Sequence, residues 1–580
     1  MAEFAVWAPL KHRVRVLVDH RAHIMKQDGA GWWRADIADA GPGTAYAFLL
    51  DDDETPLPDP RSLWQPTGVH SASRRYDHDA FFWTDRSWTG RQLPGSVLYE
   101  CHIGTFTEGG TFDAAIERLN HLVSLGVDLV EVLPVNAVDG DRNWGYDGVS
   151  WYAVTENYGG PDAFKRFVDA CHARGLGVVL DVVYNHLGPS GAYLDRFAPY
   201  FGGSTVWGPS VNLDGAHSEE VRRYIIDNAL MWLRDFHVDG LRLDAVHALH
   251  DGRATHVLEQ MAVEVEALST HVGRPLSLIA ESDLNDAKMV TAREAGGYGL
   301  QAQWADDVHH SLHVALTGER QGYYADFATA GLTGLAHVLT RVFLHEGTWS
   351  SFRGRNHGAP VDTRRTPAHR FVAYLQNHDQ VGNRAVGDRN AASLTPGLVA
   401  CGAAILFCSP FTPMLFMGEE WGARTPWQFF AHFPDQALND AVRIGRRSEF
   451  AEHGWDSDEE EVPDPTTEET FRDSHLDWSE PEEEPHSALL IAYRELIALR
   501  KARPELSDPW LDDVEVDVDE EARTLVLHRG GLRLAVNLGD EPVSIALGAI
   551  ERVLLASEPV DVDGDALTVS PEAFAIAELA

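Results

Sequence analysis

The segment "VDGLRLDAV", residues 238–246, decides how this chain is read. Its alternation is that of a β-strand: Leu241 and Leu243 point to one face, Arg242 and Asp244 to the other. An opposite-charge pair inside an otherwise apolar strand is a costly arrangement, because removing two charges from water costs several kcal/mol before their attraction is counted. For this strand alone two readings stand, a buried structural salt bridge and a pair of working groups.

The surrounding sequence supplies the context. Further strand candidates are "SVLYECHIGTF" (96–106), "VDLVEVLPV" (127–135), "LGVVLDVVYNH" (176–186), "LSLIAESD" (276–283), "LQAQWADD" (300–307), "FVAYLQNHDQ" (371–380) and "TPMLFMGEEW" (412–421). Helical patterns such as "AFKRFVDACHARG" and "EEVRRYIIDNALMWLRDFH" lie between them and close near Gly or His. Counting 238–246, eight such repeats predict an α/β protein built on a (β/α)8 TIM barrel. The barrel is expected over residues 93–506, with loop insertions. Residues 1–92 show short alternating runs, "RVRVLVD" and "AYAFLL", split by "GPG" and "TPLPDP", and predict an N-terminal immunoglobulin-like β-sandwich. Residues 507–580, with "VEVDVD", "TLVLHR" and "LRLAVNLG", predict a C-terminal antiparallel β domain. The insertion after the third strand, "LGPSGAYLDRFAPYFGGSTVWGPSVNLDGAHS", holds too many Gly and Pro for a helix and reads as a lid over the barrel mouth. The acidic stretch 453–487 reads as solvated surface before a strong helix, "ALLIAYRELIALRKA".

Composition narrows the function. The chain has 580 residues, and 89 acidic against 47 basic side chains give a net charge of −42, which repels nucleic acid and anionic lipid and favours a neutral substrate. The 17 Trp suit stacking on sugar rings as well as a core. No stretch approaches the ~20 apolar residues of a membrane span. The opening "MAEFAVWAPLKHRVRV" lacks the layout of a secretory signal, so a cytoplasmic location is expected. Cys101, Cys171, Cys401 and Cys408 form no C-x-x-C pair and read as small buried hydrophobes.

In TIM-barrel enzymes the active site lies at the C-terminal ends of the strands. Here the third strand ends on Asn185 and His186, the fourth on Arg242 and Asp244, the fifth on Glu281 and the seventh on His378 and Asp379. Arg242 and Asp244 thus have a reason to share a face: a guanidinium keeps a reactive carboxylate ionised and aimed. Three acids at one mouth, Asp244, Glu281 and Asp379, suit glycoside cleavage, in which one carboxyl protonates the leaving oxygen and another attacks the anomeric carbon. That chemistry needs no cofactor, and the ligand spacing of a dedicated metal site is missing.

The segments "DVVYNH" (181–186), "GLRLDAVH" (240–247), "LIAESD" (278–283) and "LQNHDQ" (375–380), in this order, resemble the four signature segments of the α-amylase family of retaining α-glycosidases. Within it the chain is similar to the branch of maltooligosyltrehalose trehalohydrolases, through "NWGYDGV" (143–149), "QNHDQVGNRAVGDR", "TPMLFMGEEWGARTPWQFF" and "VPDPTTEETFRDSHLDW". The resemblance implies Asp244 as nucleophile, Glu281 as acid/base and Asp379 as the third carboxylate, gripping hydroxyls of the distorted sugar. It implies that Arg242 holds the nucleophile with Asp181 behind it, that His186 and His378 bind sugar hydroxyls, and that Tyr146 is the aromatic platform beneath the ring. Trp207, in the lid, is a candidate for stacking on the leaving disaccharide, with lid packing as the equal alternative. Asn185 matches an asparagine that ligates calcium in some amylases, but this branch does not ordinarily require the ion, and no metal is expected. The implied substrate is maltooligosyltrehalose, supplied by a maltooligosyltrehalose synthase. The rival readings are a glucan branching or debranching enzyme on the same scaffold, and an inactive sugar-binding barrel.

Overall fold

The computed structural model describes residues 2–205, 208–452 and 462–580. Eight parallel strands close into a barrel: β1 (Leu98–Cys101), β2 (Leu129–Val132), β3 (Gly177–Val182), β4 (Gly240–Leu243), β5 (Ser277–Ala280), β6 (Ala302–Trp304), β7 (Phe371–Tyr374) and β8 (Thr412–Phe416). Each falls inside the segment predicted for it, and the barrel closes where β8 pairs with β1.

The two-residue period sorts the strands into an outer face against the helices and an inner face that fills the barrel. Leu98, Leu129, Val179, Ile279, Val372 and Met414 form a buried apolar cluster. One step further along their strands the inward residues turn polar: Glu100, Glu131, Asp181 and Arg242, all almost fully buried. Register places Asp181 of β3 directly beside Arg242 of β4. Residues at opposite ends of β4 behave differently. Asp239, just before it, accepts from Val178 N (2.9 Å), Trp88 Nε1 (2.8 Å) and Arg274 Nη1 (2.8 Å), and His172 Nε2 lies 3.0 Å away. It is a structural carboxylate tying the barrel's closed end together.

The N-terminal region is a β-sandwich. One antiparallel sheet holds Ala2–Trp7, Trp32–Ile37 and Lys26–Gln27; the other holds Arg21–Ile24, Val14–Val18, Ala45–Leu50 and Ser73–Arg74. Phe4, Val6, Val16 and Phe48 are buried in it, as its alternation requires. The C-terminal region has a five-stranded antiparallel sheet, Val514–Asp519, Thr524–Arg529, Leu532–Asn537, Ala573–Leu579 and Ile550–Ala556, with a three-stranded partner. All four cysteines are buried and unpaired.

The segment read from the sequence as a lid is more ordered than its composition suggests. It contains a short helix, Leu194–Phe197, and an antiparallel ribbon, Phe201–Thr205 with Gly208–Val211, because alternate residues at a ribbon tolerate glycine where a helix does not. Trp207, the lid residue that is a candidate for stacking on the leaving disaccharide, lies outside the described residues. The stem is footed on the N-terminal sandwich: Phe197 meets Phe48 edge-on at 6.2 Å, Tyr200 meets Trp7 at 5.4 Å, and Arg196 pairs with Asp53 at 2.5 Å. Arg61, from the same N-terminal region, bonds Tyr152 Oη and Asp227 of helix Ser218–Asp235. Most of the acidic stretch 453–487 that is described is irregular, apart from the short helices Glu468–Asp473 and Glu480–Glu482; its residues 453–461 lie outside the description. The strong helix follows it at His486–Ala502.

Candidate active site

Arg242 is the hub. Its Nη1 donates to Asp181 at 3.0 and 2.9 Å and to Asp244 Oδ1 at 2.7 Å, while its Nη2 lies 3.9 Å from Glu281 Oε2. The guanidinium is sandwiched against the Trp304 ring, 4.3 Å from its centroid, a cation–π contact in a desolvated setting. One buried cation therefore touches a carboxylate behind it and spans the two acids in front. Asp244 has a second anchor: Asn185 Nδ2 donates to its Oδ2 at 2.7 Å and to its backbone carbonyl at 3.0 Å. Both carboxylate oxygens are thus held, yet the side chain keeps 14% of its surface exposed at the mouth. Asn185 spends its other amide atom on His186 Nδ1.

Glu281 follows β5. Its Oε2 accepts the Ala245 backbone N–H at 2.6 Å, and that N–H is aimed by an Ala245 backbone in the left-handed region, φ 40° and ψ 49°. A left-handed alanine costs on the order of 1–2 kcal/mol, so the chain immediately after Asp244 is strained where it positions the second acid. Burial, with Asp244, Asp306 and Asp379 nearby, outweighs Arg242 and pushes Glu281 up to about 8. A carboxyl that keeps its proton at neutral pH is suited to a general acid. The sign follows directly: kcat/KM for a substrate needing protonation should fall as pH rises through about 8. A pH series from 6 to 10 checks it, and a flat profile across that range would remove Glu281 as the acid.

Asp379 is the most open of the three acids, with 49% of its side chain exposed, and its N–H is capped by Asn377 Oδ1 at 2.9 Å. Beside it His378 is almost completely buried. Tyr146 donates its hydroxyl to Asp181 Oδ2 at 2.6 Å, lies 2.8 Å from His378 Nε2, and its ring stacks on His378 at 5.2 Å with 17° between planes. Burial pushes Asp181 up to about 6, still ionised at neutral pH between its two donors.

The structure thus brings Tyr146, Asp181, Arg242, Asp244, Glu281, His378 and Asp379 into one site, with His186 joined through Asn185. Two details differ from the sequence expectation. Both His378 ring nitrogens are engaged by protein, so any sugar hydroxyl it meets has to share Nε2 with Tyr146. Asn185 is turned to Asp244 and His186 through its side-chain amide. Sequence reading missed Glu100, Asp306 and the pair Asp283–Arg353. Asp306, at the end of β6, accepts from Tyr374 Oη, and burial pushes it up to about 6. Asp283, two residues past Glu281, pairs with Arg353 on the ribbon Thr348–Ser350/Arg355–His357. The period that flagged Arg242 would also have flagged Glu100 in "LYEC" and Glu131 in "LVEV".

Comparison with known proteins finds relatives along almost the whole chain. The family described as "Alpha amylase, catalytic domain" matches residues 74–199, and a domain of unknown function (DUF3459) matches 509–576. A malto-oligosyltrehalose trehalohydrolase of Arthrobacter ramosus is 56% identical over 547 residues, 93% of this chain and 94% of that protein. The trehalohydrolase of Mycobacterium tuberculosis H37Rv is 53% identical over 564 residues, 97% of this chain and 96% of its own. Among solved structures, a Salmonella typhimurium protein assigned as an alpha amylase superposes with a TM-score of 0.90 at 38% identity, covering 99% of this chain and 97% of that one.

Proposed function

Since this chain belongs to the malto-oligosyltrehalose trehalohydrolases of the α-amylase family, we propose that it hydrolyses the α-1,4 linkage next to the terminal trehalose of maltooligosyltrehalose and releases trehalose. The observation that carries the chemistry is the single buried guanidinium shared by Asp244 and Glu281. Glu281, protonated at rest, gives its proton to the bridging oxygen while Asp244, held by Arg242 and Asn185, attacks the anomeric carbon from the opposite face. Trehalose leaves and a β-linked maltooligosyl ester remains on Asp244. Glu281, now a base, takes a proton from water, which attacks the same carbon and frees the shortened glucan with its α configuration retained. Asp379 grips hydroxyls of the distorted ring, and Tyr146 supplies the flat surface beneath it.

The domain division 1–92, 93–506 and 507–580 belongs to the same proposal, as does a cytoplasmic place downstream of a maltooligosyltrehalose synthase. Among the described residues no helix is long and apolar enough to cross a membrane.

The test is product analysis with maltooligosyltrehalose and a maltooligosaccharide of equal length. A site shaped for the bent, non-reducing disaccharide makes contacts in the transition state that a terminal maltose cannot reproduce. Free trehalose should appear far faster than any product from the plain glucan, and trehalose itself should stay intact. Glucose and maltose at comparable rates from both substrates would make the protein a general amylase. New α-1,6 linkages would make it a branching enzyme.

A further inference from the structure

One buried acid at the site has no part in the mechanism above. Glu100 lies on the inner face of β1, 1% exposed, beneath His378. Its Oε2 accepts the His378 backbone N–H at 2.9 Å and its Oε1 meets Nδ1 of the same residue at 2.5 Å. We propose that Glu100 is a positioning residue that holds His378 as a doubly protonated imidazolium, so that the Tyr146 hydroxyl proton is left for Asp181. The proposal rests on the assignment of Tyr146, Asp181 and Asp244 to the catalytic site.

Proton accounting carries it. Asp181 accepts from Arg242 and has no proton to offer, so the 2.6 Å contact with Tyr146 is a donation by the tyrosine. A hydroxyl has one proton. The 2.8 Å contact between Tyr146 and His378 Nε2 must then be a donation by the ring. On the other side Glu100 accepts the backbone N–H and faces Nδ1, which donates in turn. Both ring nitrogens carry hydrogen, and the chain of donors runs outward from His378 to Glu100 and to Tyr146, then to Asp181. Only a carboxylate serves beneath: it accepts two N–H groups at once, whereas an amide presents one acceptor and one donor.

The charges around His378 come from several strands. Arg242 on β4 opposes a second cation, while Asp379 and Asp181 favour it. His102, after β1, is buried and pushed down to about 3, so it adds no charge at neutral pH. Burial and the neighbouring Glu100 push Glu131 on β2 well above the ordinary carboxylate value. Burial pulls His378 itself down, but Glu100 and Asp379 push it up to about 9.

In Glu100→Gln, His378 should revert to a neutral ring whose Nε2 accepts from Tyr146, turning that hydroxyl away from Asp181. Ring 15N NMR of the full-length protein, with the His378 signal assigned by its loss in His378→Gln, reads this without substrate. Wild-type His378 should stay doubly protonated to above pH 8, while in Glu100→Gln it should lose a proton below pH ~7, at least a tenfold change in its protonation equilibrium. Glu131→Gln changes a neighbouring buried acid while leaving both Glu100 contacts to His378 in place, and should shift the titration far less than Glu100→Gln does. On maltooligosyltrehalose, kcat/KM of Glu100→Gln relative to wild type should drop about tenfold between pH 5 and pH 8, tracking the loss of the proton. A wild-type His378 that is neutral at pH 7 overturns the proposal whether or not the variant folds. So does a titration unmoved by Glu100→Gln, or an activity deficit independent of pH. Failure of the trehalohydrolase reading would show instead in the products, with the NMR result intact.

Discussion

Asp244→Asn should lose turnover by ~10⁴-fold or more while the protein stays folded. The amide fills the carboxylate's volume but offers no anionic oxygen to the anomeric carbon. Its carbonyl can still accept from Arg242 Nη1, as Oδ1 does now at 2.7 Å. The new NH2 then faces the Asn185 Nδ2 that currently donates at 2.7 Å, and a rotation of the Asn185 amide removes that clash. The stability cost should therefore stay within about 1–3 kcal/mol, the range for a disturbed buried hydrogen bond. Steady-state kinetics beside thermal unfolding measures both quantities. Turnover within tenfold of wild type in the folded variant would rule out Asp244 as nucleophile.

Glu281→Gln should be nearly as inactive on glucans, by about 10²- to 10⁴-fold, since no proton reaches the leaving oxygen. On a glycosyl fluoride, whose leaving group needs no acid, it should still form the ester on Asp244 and accumulate it, because the water that resolves the ester has lost its base. Intact-protein mass spectrometry distinguishes the variants: Glu281→Gln gains one glycosyl unit and Asp244→Asn gains none. Equal labelling of both would show that the roles are misassigned. The same variant carries a stability signature. The folded-state affinity of Glu281 for its proton is raised, from 4.5 to about 8. Its contribution is fully present below pH ~4.5 and declines until pH passes about 8, so at pH 7 the wild type bears a cost that glutamine avoids. Glu281→Gln should be more stable than wild type at pH 7, by about 1–3 kcal/mol, and indistinguishable from it near pH 4. A variant less stable at pH 7 would contradict the burial of a reluctant acid.

Most of the barrel and its acids could be read from the chain because both follow local periods. Leu241 and Leu243 on one face and Arg242 and Asp244 on the other is a pattern visible within a few residues, and the position of each acid just past its strand places it at the mouth. Glu100 and Glu131 follow the same period, but as lone acids without a neighbouring cation they look like ordinary interruptions of an apolar run. The left-handed turn at Ala245 carried no signal, since glycine rather than alanine marks such a backbone. Asp283 and Arg353 are 70 positions apart and meet only because a ribbon folds back from beyond β6. The lid's ribbon was hidden by glycines that exclude a helix without announcing a strand.

The footing of the lid on the N-terminal sandwich changes what counts as a module. Residues 187–218 are inserted in the barrel by sequence, but Phe197, Tyr200 and Arg196 rest on Phe48, Trp7 and Asp53. Removal of the N-terminal sandwich would therefore leave the insertion without the surface on which its stem rests. Chimeras with relatives should work only when the sandwich and the insertion are exchanged as a pair, and natural variation at Phe48 should be accompanied by variation at Phe197. Along the chain the heritable unit is two pieces, and in space it is one.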